Sequence, residues 1–390
     1  MPPQLLLPLL ALAVYFVGAT EFMLSPMLTP LAEAFETTPA HASWLVSSYA
    51  LSYAVAAPIF GLLSDRIDRR RLLLASLLLF ALDGLALTLA PNFEFAIGLR
   101  IFGGLASAAL IPTAFAMIAD RVPVHRQAGA MGIVMLGMTF GIAAGPVFAG
   151  LLTDAFDWRA PFVLTAVGCL LTFVAGWKII PSHAPHPSET RQARFAWICQ
   201  SSVLRPLVAK GLWNGTAVAA FLLTGEVLRQ RHGLGTGAVG AAVSAFGVGL
   251  GLGNVAVGFA ARICKRDETM LMVAIVLIAI AISTFMLAPL SLEGGLACLT
   301  MWGAALGVAA PASTAILAKR AGENKGQVLA ISESLNNLTI LAVLPIAAGQ
   351  LAVHGATDTM LILALSLTIS LILSAADLRG AFSQTSKVSQ

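Results

Sequence analysis

Apolar residues in this chain come in blocks of twenty or more, separated by short polar stretches. The pattern predicts twelve helices: α1 5–28, α2 42–63, α3 71–90, α4 94–119, α5 127–152, α6 160–180, α7 205–228, α8 236–260, α9 269–289, α10 294–318, α11 326–353 and α12 357–376. Each block is long enough to cross the hydrocarbon core of a bilayer as a helix. One block carries a finer pattern. Gly137, Gly141 and Gly145, followed by Pro146, recur every fourth residue of α5 and leave a bare stripe along one face. A glycine inside a helix costs about 1 kcal/mol relative to alanine. In so apolar a segment, the return expected for it is close helix-to-helix approach.

Composition agrees with this reading. Of 390 residues, 58% are hydrophobic and 11% charged, with a mean hydropathy of +0.87. A soluble chain would carry about a quarter charged residues. Most connections are too short to hold a soluble domain, so the fold class is an all-α polytopic membrane protein.

The placement of Lys and Arg gives the orientation. With the N-terminus in the cytoplasm, cytoplasmic loops hold 18 of the 23, and outer loops hold three (Arg159, Arg229, Arg231). The remaining two, Arg100 and Lys210, fall within helices. Both termini are therefore expected on the inner side of a cell membrane. The net charge of +4 is a topology signal and not evidence for a nucleic-acid partner. No basic n-region precedes α1, so that helix is expected to be retained. The four cysteines and six histidines show no disulfide or metal spacing. There is no phosphate-binding loop or Ser/His/Asp set: "GVGLGLG" at 247–253 lies inside an apolar helix with no strand before it. No enzyme activity, metal or cofactor is expected.

The chain also repeats itself. At an offset of 199, Gly104, Pro112, Ala119 and Arg121 of α4 match Gly303, Pro311, Ala318 and Arg320 of α10. Pro146 and Gly150 of α5 match Pro345 and Gly349 of α11; separately, at an offset of 205, "FVGATEF" of α1 aligns with "FLLTGEV" of α7 and places Glu21 opposite Glu226. The expected organisation is a six-helix bundle at 1–180, a linker at 181–204, a second bundle at 205–376 and a tail at 377–390. Duplicated six-helix units facing a cavity are a common design of secondary transporters.

The motifs resemble those of the major facilitator superfamily along the whole chain. The loop after α2, Gly61-Leu-Leu-Ser-Asp65-Arg66-Ile-Asp68-Arg69-Arg70, is similar to that family's signature loop, with Asp68 where glycine is usual. "LRIFGGLASAA" in α4 resembles a second signature built on a membrane arginine, here Arg100, with Gly103 in place of a common glutamine. "DWRAPF" at 157–162 is a weaker echo of the entry to α6. The glycine stripe with Pro146 resembles the motif of the family's drug:proton antiporters. The resemblance implies alternating access, a small-molecule substrate, protons as coupling ion and a monomer in the bilayer. The proton gradient would then be the energy source.

Intramembrane charges are costly, about 2.5–3.5 kcal/mol each at a helix centre. Glu21 lies about 24 Å into α1 from the inner side and Arg100 about 9 Å into α4 from the outer side, at 1.5 Å per residue. These similar depths mark Glu21 as the candidate proton and substrate carboxylate, with Arg100 setting its ionisation. A fixed ion pair without a part in coupling is the other reading. Tyr15, Phe16 and Phe22 would shelter an apolar substrate beside it. Glu226 is either a second site or an outer-interface residue, and Asp83 in α3 either a structural aspartate or a proton site. Glu333, Asn336 and Asn337 on α11 line a cavity or bond a neighbouring helix; Trp213 and Asn214 on α7 are weaker cavity candidates. Acidic residues outnumber basic ones inside the membrane, which favours cationic or neutral lipophilic compounds. Export of a specific metabolite such as a sugar, nucleoside, amino acid or siderophore is the alternative, and proton-coupled uptake a third.

Two gates are expected. Asp65, Arg66, Arg69 and Asp120 form an inner charge cluster, with Asp65 meeting the positive end of α11 near Gly326; alternatively they fix topology alone. At the outer side, the stripe of Gly137, Gly141, Gly145 and Pro146 is expected to close on α8, which offers Gly240, Ser244, Gly247 and Gly251. At the 199 offset the stripe becomes Asn336, Ile340 and Leu344, which suggests close packing in one half alone.

Overall fold

The computed structural model describes residues 5–63, 67–180, 197–198, 200–264 and 266–388. All twelve expected segments are helices. Ten pass a length-and-hydropathy test for spanning, and α1 makes an eleventh as a bent pair, Leu6–Phe22 and Leu24–Ala34, turned by 56°. The twelfth is α3, Arg69–Leu87, which opens on three consecutive arginines. Among the described residues there is no strand.

Local chemistry explains the boundaries. The break in α1 follows Phe22, the residue four before Pro26, whose ring nitrogen cannot donate to that carbonyl. α4 breaks for the same reason at Ala109, just past the carbonyl that Pro112 leaves unpaired, giving Phe93–Ala108 and Leu110–Arg121. The Asn92 side chain caps α4 by accepting from Phe95 N at 2.9 Å. The Ser291 hydroxyl caps α10 (Leu292–Ala321) by accepting from Gly294 N at 3.2 Å. Gly233, with φ +63°, ends α7 (Ser201–His232) in a left-handed conformation that a side chain would strain.

The chain divides into two compact units. One is the first six helices together with Leu222–Ser244; the other is Ala245–Gln390 with the preceding stretch of α7 up to Phe221. In the first unit α1 lies along α5 (Val124–Ala155), and the glycine stripe is the seam. A Cβ at Gly137 would sit on Ala11 O, and one at Gly141 on Tyr15 O. At Gly145 it would lie 2.7 Å from Ala19 O. The stripe therefore faces α1, not α8 as expected. α2 (Pro39–Ala42 and Trp44–Leu63) packs on α4 through Gly104, set against Tyr49 O.

The second unit uses the same pairings with the glycines moved. α7 meets α11 (Lys325–Val353) at Gly211, where a Cβ would lie 2.7 Å from Leu335 Cβ, and at Gly215, 2.6 Å from Asn336 O. The expectation of close packing in one half alone is thus corrected. In the first unit the glycines stand on α5; in the second they stand on α7, the other member of the equivalent pair. α8 (Thr236–Cys264) meets α10 through Gly249, Gly253, Gly303 and Gly307, each set against backbone of the facing helix.

These contacts predict opposite effects within one helix. Gly141→Ala drives a methyl into Tyr15 O and should destabilise by about 1–3 kcal/mol. Gly132→Ala has open space around its new Cβ and should be neutral or stabilising by up to about 1 kcal/mol. Thermal unfolding of the two purified variants in detergent reads the difference.

Candidate functional site

Four places collect the polar side chains: a charge cluster within the first six helices, a pair in the second unit, a seam at the end opposite the arginine-rich loops, and ion pairs at the arginine-rich end itself.

In the first cluster, Arg100 of α4 and Asp83 of α3 are each 1% exposed, and Arg100 Nη1 lies 3.7 Å from Asp83 Oδ2. The guanidinium stacks 4.6 Å above the Tyr49 ring, and its Nε donates to Leu45 O at 3.4 Å. The Tyr49 hydroxyl in turn donates to Ser107 Oγ at 2.6 Å. Glu21 is half-buried, two residues before the break in α1, and its charge lies within electrostatic reach of Tyr49, as do those of Arg100 and Asp83. The ion pair at Arg100 is therefore made with Asp83, a residue the sequence reading left between two roles. The expected aromatic shelter is arranged differently. Phe16 is buried with its ring against Gly168 of α6 (Ala160–Ile179), edge-on to Tyr15 at 5.1 Å. The crevice that Tyr15, Phe16, Ala19, Met23 and Phe148 line has a volume of about 30 Å³, small beside a drug-sized ligand.

In the second unit, Lys210 Nζ of α7 donates to Glu333 Oε1 and to Thr314 Oγ1, both at 3.2 Å. Lys210 is buried, but the Glu333 side chain is 47% exposed. Asn337 Nδ2 turns back to Glu333 O of its own helix at 3.0 Å, the behaviour of a structural asparagine. Asn336 is buried, its Oδ1 without a hydrogen-bond donor, and the Trp213 indole is wholly buried, its Nε1 without an acceptor. Asn214 is half-buried on the same turn.

The seam joins α1, α5, the C-terminal end of α7 and the N-terminal end of α8, all in one compact unit. Ser25 and Thr224, 199 positions apart, meet with their hydroxyls 3.3 Å apart. Beside them Thr29 Oγ1 donates to Glu226 Oε2 at 2.7 Å. Arg229 Nη2 donates to Pro26 O at 3.3 Å. α5 touches α8 one residue past the stripe, where Pro146 O meets Gly240 and Gly150 lies 2.6 Å, as a Cβ, from Thr236 O. Asp154 Oδ2 accepts from Gly237 N at 2.7 Å, a carboxylate capping the first turn of α8. Gly240 meets α5 at Pro146 and Gly150, while Gly247 is buried and Gly251 half-buried further along α8.

At the arginine-rich face, Arg69 pairs with Asp120 and donates to Ala116 O at 2.9 Å. Asp65 and Arg66 lie outside the described residues. The repeat equivalent of Arg121, Arg320, holds Asp377 at 2.6 and 2.8 Å and Glu268 at 2.9 Å.

Among the described residues, ten apolar helices and one bent pair, with paired charges inside, make a polytopic membrane protein. The chain belongs to the Major Facilitator Superfamily, whose family model matches residues 10–343. Among its relatives is the uncharacterized MFS-type transporter YwfA of Bacillus subtilis, 25% identical over 87% of this chain and 83% of that protein. The chloramphenicol resistance protein of Streptomyces lividans is 29% identical over 62% of each chain. The multidrug resistance protein B homolog of Mycobacterium tuberculosis is 32% identical over 40% of this chain and 29% of that protein. Both resistance matches thus span less than two thirds of the relative's length. The fold resembles a bacterial homolog of the human lysosomal transporter Spinster (TM-score 0.77, 16% identity, 97% and 98% of the chains covered). It resembles a D-xylose-proton symporter to the same degree (TM-score 0.77, 16% identity, 94% and 96%).

The two ion pairs differ in what replaces them. Arg100→Ala strands a carboxylate in a dry site and should cost about 3–5 kcal/mol. Lys210→Ala leaves Glu333 free to turn toward solvent and should cost much less. Thermal unfolding of the two variants should rank them in that order.

Proposed function

We propose that the chain is a proton-driven exporter of small cationic or neutral lipophilic compounds. It would work as a monomer in the inner membrane with both termini in the cytoplasm and the proton gradient as its energy source. The observation that carries this reading is Glu21, a half-buried carboxylate beside a helix break in an otherwise apolar helix. An intramembrane carboxylate is stable there when protonated or when facing a cation, and these two conditions exclude each other. Substrate arriving from the cytoplasm displaces the proton, and the loaded protein turns outward. Outside protons then reload the carboxylate. The names of the chloramphenicol and multidrug resistance relatives support the substrate class. The D-xylose-proton symporter shares the fold alone and gives no ground for preferring uptake. Export of one particular metabolite is the second reading, since the scaffold accommodates many substrates.

The seam serves this cycle as the outer gate. Opening it breaks the Ser25–Thr224, Thr29–Glu226 and Asp154–Gly237 hydrogen bonds and parts Pro146 from Gly240. The cost is about 0.5–1.5 kcal/mol net for the neutral Ser25–Thr224 bond and about 1.5–3 kcal/mol for each bond to a carboxylate.

In proteoliposomes, a pH gradient should drive chloramphenicol or the lipophilic cation tetraphenylphosphonium toward the acidic compartment. A protonophore should abolish that flux, and Glu21→Gln should reduce it to the level of protein-free vesicles. Flux that follows the protons would identify a symporter, and full coupling in Glu21→Gln would remove the central role of that residue. For the gate, Gly240→Leu should hold α5 and α8 apart. In a cysteine-free background carrying Thr224→Cys, it should then speed labelling by an impermeant maleimide severalfold.

A further inference from the structure

The Arg100–Asp83 pair is built in a way that neither residue explains alone. Gly103 lies one turn along α4 from Arg100, and a Cβ on it would clash with Asp83 Oδ2. The carboxylate occupies the space a side chain at 103 would fill, so the glycine is what seats an acid from α3 against α4. Neither Asp83 oxygen accepts a hydrogen bond, nor does Arg100 Nη2 donate one. At 3.7 Å, the two groups are held by charge and packing. A buried pair fixed for stability gains most from short, bidentate bonds, which are missing here.

We infer that Asp83 is a positioning residue for proton coupling: it neutralises Arg100 and thereby lets Glu21 keep its proton. The inference rests on the antiport reading above. Charge accounting gives the direction. The charged groups within electrostatic reach of Tyr49 on α2 are Glu21 on α1, Asp83 on α3 and Arg100 on α4, with Tyr53 beside Tyr49; α5 carries no charge between Gln127 and Asp154. That is one cation against two carboxylates. With Asp83 ionised beside Arg100, the pair presents little net charge to Glu21, whose proton is then not driven off by the guanidinium. Were Arg100 unbalanced, its charge would favour ionised Glu21 and the proton would leave too early. Asp83 itself passes no proton in this scheme, and no bond is made or broken beyond the O–H of Glu21.

The test reads Glu21 directly, without transport. The infrared C=O band of its protonated carboxyl, assigned by its loss in Glu21→Gln, is titrated with pH in the purified full-length protein. Asp83→Asn should move the midpoint about one unit or more toward acid. The double variant D83N/R100Q should return it toward the wild-type position, because both charges are gone. A purely structural Asp83 would lower the melting temperature and leave the midpoint in place, and that result overturns the proposal. If Asp83→Asn does not fold, Gly103→Ala displaces the carboxylate instead and should give the same acid shift; an unmoved midpoint there overturns it equally. The band and the proteoliposome flux fail separately. A moved midpoint with flux independent of the pH gradient refutes antiport alone, and proton-driven flux with an unmoved midpoint refutes the role of Asp83 alone.

Discussion

A bilayer offers no water to a polar group and no hydrophobic drive between helices already surrounded by hydrocarbon. Everything specific in this fold answers that double constraint. The helix pairs are held by backbone against backbone, which requires glycine at the crossing. Each charge that enters the membrane must meet a partner or carry a proton. The first requirement places Gly137, Gly141 and Gly145 against Ala11, Tyr15 and Ala19, and Gly211 and Gly215 against α11. The second places Asp83 at Arg100 and Glu333 at Lys210.

The two requirements meet in α1. Its stripe-facing side is locked to α5 and its bend at Met23 is fixed by Pro26. Glu21 is therefore held on a rigid piece immediately below the bend, and the piece beyond it reaches the seam with Ser25 and Thr29. A helix of this kind connects a candidate proton site to a candidate gate over a few residues. The coupling needs no long pathway: a change in α1 near Glu21 acts directly on the segment that bonds Thr224 and Glu226.

Much of the fold was legible in the sequence because bilayer thickness sets a length that composition alone reveals. The repeat was legible too, at an offset of 199 from α4 to α10 and from α5 to α11. What the sequence hid was direction. A stripe of glycines states that something lies close without saying what, and the natural guess of α8 was wrong by one residue: Pro146 and Gly150 touch α8, while the stripe touches α1. Reading the absence of the stripe from α11 as an asymmetry failed for a related reason, since either member of a helix pair can supply the glycine. Asp83 was undervalued because α3 is a peripheral helix in this kind of fold. The available signal was Gly103, a missing side chain on the helix that carries Arg100.

The central claim is that substrate and proton compete for one carboxylate on α1. The most direct measurement is proton release on substrate binding. Tetraphenylphosphonium is added to the detergent-solubilised protein in weakly buffered solution with a pH indicator. The account predicts protons released in proportion to substrate bound by the wild-type chain, and none by Glu21→Gln. Substrate binding without proton release, at every pH where Glu21 holds its proton, would contradict it.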